Sequence, residues 1–362
     1  MTGCDIKDGR YDTFSKHVWD RSMAGPLPLR AQFELTYACN LHCVHCYSDP
    51  FNKQEYLGRE LTYNEVLRIF DELADAGVLW LLLTGGEAIR HPEFKRIYTA
   101  AKSRGFIVSL FSNATIISEE MADFLAQNPP FKLEVSAHGA TRETYERITQ
   151  VPGSFDQFHA GIRRLLERGL PLKIKTKAMT LNHHELSKIQ SFAKGLGDGL
   201  EADFTLYTTI HPRLDGDLSP TNYRLSADQI VQLEKQDRKP TTFGPPLNDR
   251  LFRCGCGKNS FTINPQGMLR PCTFTICPSY DLKTIPFIEA FRNLVSEISK
   301  AHYTGNSACR KCPIHMACDK NPAISANETG SMENPVPYFC EVARKRAQLN
   351  ETTKTEGTSQ CN

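Results

Sequence analysis

Six apolar runs separated by helical patterns constrain this chain more than any other feature. The runs are AQFELTY (31–37), VLWLLLT (78–84), FIVSLFSN (106–113), FKLEVSA (131–137), LKIKTKAMT (172–180) and DFTLYT (203–208). Their length and β-branched or aromatic content suit strands, and the continuous run at 78–84 suits a strand covered on both faces. Between them lie amphipathic segments with helix signals. Thr62 is placed to cap a helix with Glu65 as its capping-box partner, running on to Gly77. Ser118 opens SEEMADFLAQ (118–127), and EFKRIYTAAKSRG ends at Gly105. Further helices are expected at 141–149, 154–168 and 183–197. Strand–helix alternation repeated six times predicts an α/β fold, a partial (β/α)6 TIM-like barrel. Ligands of such sheets collect at the carboxyl ends of the strands.

The chain has 362 residues, 40% of them hydrophobic, and a formal net charge of +2. That near-neutral balance gives no electrostatic footing for nucleic acid. No apolar run reaches 18 residues and the first 20 residues lack a signal-peptide core, so no membrane association and a cytoplasmic location are expected. Thiols stay reduced there, so 13 cysteines point to metal rather than disulfides. Three of them sit at Cys39, Cys43 and Cys46, and eight lie from Cys254 to Cys340. Cys4 and Cys361 stand alone in polar termini. The cysteine-free stretch between is a structural body joining two metal-rich regions.

The first three form Cys-x3-Cys-x2-Cys directly after the first strand, with Tyr47 next. Three thiolates on one loop can hold three irons of a [4Fe–4S] cube and leave the fourth iron open, unlike a four-Cys electron carrier. A zinc site using His42 or His45 is one alternative and a disulfide framework another. The second strand ends in Gly85, Gly86 and Glu87, with 38 residues between Cys46 and Gly85, room for one helix and one strand. The two glycines let backbone approach closely where a side chain would not.

The cysteine loop and the Gly-Gly-Glu, in that order and at that spacing, resemble the radical S-adenosylmethionine (radical SAM) superfamily. The resemblance implies that the open iron chelates S-adenosylmethionine (SAM). It implies that one electron cleaves SAM to methionine and a 5′-deoxyadenosyl radical, which abstracts hydrogen from substrate. It assigns Gly85, Gly86 and Glu87 to the SAM amino group, Tyr47 to adenine, and Asn113 to ribose or carboxylate. Ser136, at the end of the fourth strand, is a further SAM contact, and either Lys177 or Lys175 pairs with the SAM carboxylate. Plain structural roles compete at each position: a packed aromatic, a turn, a capped strand end, a solvated lysine pair. The catalytic base is not identified; His138 is a candidate by residue type alone.

The second cysteine region resembles the SPASM extension of that superfamily, which carries auxiliary iron–sulfur clusters. Cys254 is followed after twelve residues by Gly267 and after four more by Cys272, around a hairpin signal at Asn264–Gly267. Cys309-x2-Cys312-x5-Cys318 and then Cys340 match the second auxiliary ligand set. The pattern asks for one more cysteine at position 322, where the chain has Pro322. Cys256 and Cys277 are extra thiols that could complete the first auxiliary site; otherwise that site is open or holds a smaller cluster. One or two auxiliary clusters are therefore expected, serving electron relay or substrate ligation. The expected layout is an extension at 1–28, the core at 29–237, a Pro-rich linker at 238–250, the C-terminal iron–sulfur SPASM domain at 251–345 and a disordered tail at 346–362.

The function implied is a radical SAM oxidoreductase that modifies a peptide or protein, with flavodoxin or ferredoxin as reductant. The short extension suits recognition of the peptide directly or by a separate leader-recognition protein. A sulfatase maturase is a second reading, disfavoured by Thr273 after Cys272, where a catalytic carboxylate is wanted. Modification of a haem precursor is a third, and a non-enzymatic cluster carrier or sensor the last.

Overall fold

The structure is a computed structural model describing residues 11–22, 25–196, 203–234 and 248–358. Its backbone is one nine-stranded sheet in the order β6-β5-β4-β3-β2-β1-β7-β8-β9. The strands are β1 Arg30–Glu34, β2 Trp80–Thr84, β3 Ile107–Ser112, β4 Lys132–Ser136, β5 Leu172–Lys177, β6 Asp203–Tyr207, β7 Ser260–Ile263, β8 Met268–Arg270 and β9 Tyr280–Asp281. From β6 across to β1 every neighbour pairs in parallel, as the six-fold strand–helix alternation predicts. The fold is thus an open partial barrel with β6 at one edge.

Helices fill the connections: α1 Tyr11–Ser22, α2 Gln54–Leu57, α3 Tyr63–Asp75, α4 Phe94–Ser103, α5 Glu119–Gln127, α6 Arg142–Thr149, α7 Ser154–Glu167, α8 Leu186–Gly195 and α9 Ala227–Glu234. Local chemistry sets their ends. Thr62 and Glu65 form the anticipated capping box of α3, and Ser118 accepts from the Met121 N–H to open α5. One face of each strand meets these helices. Val108 and Leu110 of β3 and Ile174 of β5 pack there with Ile69, Phe70, Ile97 and Tyr98 in a single buried core.

The other face is half-open and polar. In register across it stand Gln32 with Leu82 and Ser109, Phe111 with Glu134 and Lys173, Ser136 with Lys175 and Thr205, and Lys177 with Tyr207. Because side chains alternate, this interior face is built by one half of each strand's residues.

The second cysteine region is grafted on the same sheet. β7 pairs in parallel with β1, and β7–β8 is the hairpin expected around Asn264–Gly267. Asn264 Oδ1 accepts from the Gln266 and Met268 N–H groups, and Gly267 takes φ +87°. Three helices follow: α10 Phe287–Lys300, α11 Pro322–Thr329 and α12 Pro337–Thr358. The disordered tail expected from residue 346 is corrected: α12 continues through it to Thr358. Arg346 anchors the helix there, buried and bonded to Glu234 of α9 at 2.5 Å and to Asp319 at 2.8 Å. Arg224 makes a second clamp between the regions, reaching Glu328 of α11 at 2.5 Å and stacking near Tyr338 and Phe339. The linker at 238–247 and the lone Cys4 and Cys361 lie outside the described residues.

Gly161 of α7 fits directly under the carbonyl of Ala114, which holds φ +60°. A Cβ built on Gly161 would sit 1.9 Å from that oxygen. Helix propensity alone would favour Gly161→Ala by about 1 kcal/mol. Overpacking against fixed backbone opposes it by about 1–3 kcal/mol or more. We expect Gly161→Ala to lower the denaturant midpoint; an unchanged or higher midpoint would contradict this packing.

Candidate active site

The cysteine loop leaves the carboxyl end of β1 and is tied down on all sides. Glu60 accepts from the Tyr37 N–H at 2.6 Å and from the Thr36 hydroxyl at 2.9 Å, fixing the strand exit. The His42 and Val44 N–H groups donate to the Thr149 and Ile148 carbonyls at the end of α6. The Cys46 N–H turns back to the Cys43 carbonyl at 2.9 Å. A small apolar cluster of Ile148, Met179 and Ile210 lies against Val44. The segment around 209–225 caps this loop: the Leu214 N–H donates to the Tyr47 carbonyl at 3.0 Å and Arg213 reaches Asp49 at 3.2 Å.

Cys39, Cys43 and Cys46 come together: Cys46 and Cys39 raise the Cys43 pKa by charge, and Cys46 that of Cys39. Burial is the larger cause: it pushes the Cys39 thiol up to about 12 and the Cys43 and Cys46 thiols upward. Without metal they are neutral thiols, and a bound cation would drive off their protons. Among the described residues no three His, Cys, Asp or Glu converge on one point fit for a single ion. A four-iron cube asks for something else, because each thiolate bonds a separate iron. His42 turns away to Asp49 at 3.0 Å, and His45 packs 5.2 Å from His138.

The Gly-Gly-Glu lies directly beneath this loop. The Gly86 N–H donates to the Thr36 carbonyl at 2.7 Å and the Glu87 N–H to the Ala38 carbonyl at 2.8 Å. A Cβ on Gly85 would lie 2.3 Å from the Thr36 oxygen, and one on Gly86 2.5 Å from the Tyr37 oxygen. The close approach expected of these glycines is therefore made in the protein itself, to the backbone carrying Cys39. Glu87 is buried, accepts from the Asn113 N–H at 2.7 Å, and burial lifts its pKa to about 7. Its carboxylate ties the ends of β2 and β3 together. Asn113 in turn donates to Asn40 at 3.1 Å and lies 3.9 Å from the Cys39 sulfur.

Of the remaining sequence-picked residues, Ser136 ends β4 on the interior face, in register with Lys175. The Lys175 ammonium sits on the Phe111 ring, 2.9 Å from its centroid, and burial lowers its pKa to about 7 against the pull of Glu134 and Glu87. Lys177 donates to the Thr209 carbonyl at 2.9 Å; burial lowers its pKa to about 8, with Cys46 opposing. His138 is buried beside the cysteine loop, its Nε2 3.8 Å from the Cys43 sulfur. Burial, then Lys175, lowers its pKa to about 4, so it is a neutral imidazole. Its Nδ1 and that of His45 are buried without a hydrogen-bond partner.

Glu34 was not anticipated. It is the interior-facing end of β1, buried, and receives the Tyr47 hydroxyl at 3.1 Å. Burial raises its pKa to about 7, moderated by Tyr47 and Arg270, while Cys272 adds to the rise. Two residues earlier, Gln32 donates to Thr273 at 2.7 Å. Phe274 meets Tyr47 edge-on at 5.1 Å and stacks on His211 at 3.6 Å. Residues 272–275 thus wall the barrel beside the first cysteine loop. The signal for Glu34 was present in AQFELTY, where polar residues alternate with apolar ones and mark a strand with one polar face.

The distal cysteines form two groups. Cys309, Cys318 and Cys340 interact by charge with one another and with Lys320, and Cys312 acts on Cys340, which lies at the start of α12. Cys254, Cys256 and Cys272 lie close enough to interact by charge. Cys277 is exposed, and residue 322 is a buried proline opening α11. Arg253 bridges the groups, donating to the Cys309 and Arg310 carbonyls.

Residues 33–194 match the model of the radical SAM superfamily. That segment is similar to radical SAM domains. The superfamily implies SAM and a [4Fe–4S] cluster as cofactors, and residues 33–194 contain both the cysteine loop and the Gly-Gly-Glu. Among curated relatives, the AdoMet-dependent heme synthase of Methanosarcina barkeri is 30% identical over 211 residues, 58% of this chain and 60% of that one. The antilisterial bacteriocin subtilosin biosynthesis protein AlbA of Bacillus subtilis is 28% identical over 256 residues, 68% of this chain and 55% of that one. The chain therefore spans less than two thirds of these two relatives' length. The crystal structure of Streptococcus suis SuiB bound to precursor peptide SuiA shares the fold, with TM-score 0.64 and 15% identity over 92% of this chain and 82% of that one. Its likeness reaches well beyond the matched core into the distal cysteine region.

Two outcomes test this geometry. Gly86→Ala should displace the cysteine loop, lowering stability by about 1–3 kcal/mol and iron content at the first site; full iron loading would count against the backbone lock. Glu34, an acid with a raised pKa, keeps its proton in the folded state after the unfolded chain has lost it. Stability from that proton is complete below about pH 4.5 and lost by about pH 7, worth about 3 kcal/mol. In metal-free protein, Glu34→Gln should flatten the pH dependence of unfolding in that window by this amount. An identical slope in both proteins would refute it.

Proposed function

We propose that the chain is a radical SAM enzyme that modifies a peptide or protein substrate, with clusters on both cysteine regions. The observation that carries it is the convergence of Cys39, Cys43 and Cys46 over the Gly-Gly-Glu, beside a polar barrel interior. When bound at those three thiolates, a [4Fe–4S] cluster supplies the electron that cleaves SAM and releases a 5′-deoxyadenosyl radical. The protein's task is to position the reactants and exclude water.

The residues divide that task. The lock between Gly86–Glu87 and Thr36–Ala38 sets the height of the cysteine loop above the sheet. Asn113, beside Cys39, takes a polar group of SAM, and Ser136 stands at the neighbouring strand end. Lys177 feels the charge of Cys46 and donates to the Thr209 carbonyl, and an ammonium so placed suits the SAM carboxylate. Lys175 is already balanced by Glu134 and Glu87. Tyr47 offers its ring rather than its carbonyl, which Leu214 already occupies. His138 is held neutral against Cys43 and lies among the cluster's neighbours. Its position does not single it out as a substrate base.

The SuiA complex of SuiB and the role of AlbA in bacteriocin biosynthesis support a peptide as substrate. Cys309, Cys312, Cys318 and Cys340 make a full four-thiolate set suited to electron relay. Flavodoxin or ferredoxin is the reductant we assign, and peptide recognition is direct or through a separate leader-binding protein. Among the described residues no helix is long and apolar enough to cross a membrane. The heme synthase relative supports a second reading, modification of a haem precursor.

Protein reconstituted anaerobically with iron and sulfide, then reduced, should convert SAM to 5′-deoxyadenosine. Cys39→Ala, Cys43→Ala and Cys46→Ala together should abolish that product while leaving distal iron in place. Sound, cluster-loaded wild type that forms no 5′-deoxyadenosine would sink the proposal. Hydrogen transfer into 5′-deoxyadenosine from a deuterated candidate peptide, and not from a porphyrin carboxylate, separates the first reading from the second.

A further inference from the structure

Arg270 is a cation in the barrel left without a partner. The β7–β8 hairpin sends Phe261, Ile263 and Leu269 into the apolar core on the helix side. Side chains alternate along a strand, so Arg270 faces the other way, toward the interior. There it stands in register with Thr262, and Thr262 with Gln32 of β1. The residue is half-buried, and its Nε is buried without a hydrogen-bond partner. Among the described residues no carboxylate forms an ion pair with it.

The polar groups around it are bonded elsewhere. Glu34, which feels the Arg270 charge, receives the Tyr47 hydroxyl at 3.1 Å. The Tyr37 hydroxyl, which feels it too, accepts from Asn264 at 2.9 Å. Gln32 donates to Thr273 at 2.7 Å, which draws the segment after Cys272 over this part of the interior. Burial lifts the Glu34 pKa to about 7, so the ionised form that would balance Arg270 is disfavoured. A charge taken from water without a counter-charge costs stability, and a ligand that brings the counter-charge recovers it.

On the reading of the chain as a peptide-modifying radical SAM enzyme, we infer that Arg270 is a specificity-determining residue that binds a carboxylate of the substrate inside the barrel. A guanidinium offers a flat fork of donors that matches the two oxygens of a carboxylate. One cation balances one negative charge, so a carboxylate suits it better than a doubly charged phosphate. The SAM carboxylate is assigned to Lys177 on β5, and β4, β3, β2, β1 and β7 separate that strand from β8. The carboxylate at Arg270 is therefore a second one, on the substrate. An acidic peptide side chain and a porphyrin share this chemistry, and the test separates them.

Full-length protein reconstituted with iron and sulfide is titrated in a calorimeter with three probes. These are the capped peptide Ala-Ala-Glu-Ala-Ala, the same peptide with Gln for Glu, and coproporphyrin. Wild type should bind the Glu peptide about tenfold more tightly than the Gln peptide, the worth of a charge-assisted hydrogen bond. Arg270→Met, which keeps the apolar stem, should erase that difference. Coproporphyrin binding that falls in Arg270→Met, with both peptides bound alike, upholds the carboxylate role and moves its source to a tetrapyrrole. A Glu preference that survives in Arg270→Met overturns the inference, and so does wild type in which no probe depends on Arg270. The variant should also keep the wild-type iron content and denaturant midpoint or exceed that midpoint. A fall in either marks Arg270 as a brace for the Cys272 segment and overturns its role as a substrate contact. Wild type that forms no 5′-deoxyadenosine from SAM defeats the enzyme reading instead, whatever Arg270 binds.

Discussion

The site depends on one backbone contact. Two N–H groups, of Gly86 and Glu87, reach the Thr36 and Ala38 carbonyls across the gap between the ends of β2 and β1. Backbone this close leaves no room for a Cβ, so glycine at 85 and 86 is a steric requirement before it is anything chemical. The lock also places Glu87 where it can accept from the Asn113 N–H, extending the same tie to the end of β3. Three strand ends are thereby held at one height, and the cysteine loop, with its surrounding anchors, is presented on a rigid base.

The barrel interior is expensive to build. Lysines 175 and 177 and glutamates 34 and 87 all have their charged forms disfavoured by burial. A core designed for stability alone would use apolar residues of similar volume. The concentration of such groups at the carboxyl ends of the strands, against a helix-facing side that is apolar but for small hydroxyl residues such as Ser112 and Thr176, is the signature of a site kept for chemistry. Partial compensation limits the penalty: Lys175 has Glu134 and Glu87, and Glu34 has Tyr47 and Arg270.

The strands and most core helices were legible because their signals are local. The runs at 78–84 and 106–113 are apolar enough to be strands in any context, and Thr62 with Glu65 marks a helix start unaided. The cysteine loop was legible because thiol spacing is itself the chemistry. What was missed is what distance in sequence hides. Glu34 became notable only when Tyr47, Arg270 and Cys272 gathered round it. The end of α12 looked like a polar tail because Arg346 finds its partners at 234 and 319. The glycines were read as making room for a ligand, whereas the nearest occupants of that room are the carbonyls of the cysteine loop.

The two cysteine regions are also not independent in space. β7 pairs with β1 in the register Ala31–Phe261 and Phe33–Ile263, so both regions hang from adjacent strands of one sheet. The first loop leaves the end of β1, and Cys272 follows a hairpin that starts on β7. Slipping that register by one residue would turn Phe261 and Ile263 out of the core and carry Cys272 away from Glu34 and Gln32. The distance between the first loop and Cys272 is therefore fixed by ladder hydrogen bonds and by the burial of two large apolar side chains. A shared sheet fixes that separation through its ladder, whereas the Arg224 and Arg346 clamps act only at the periphery.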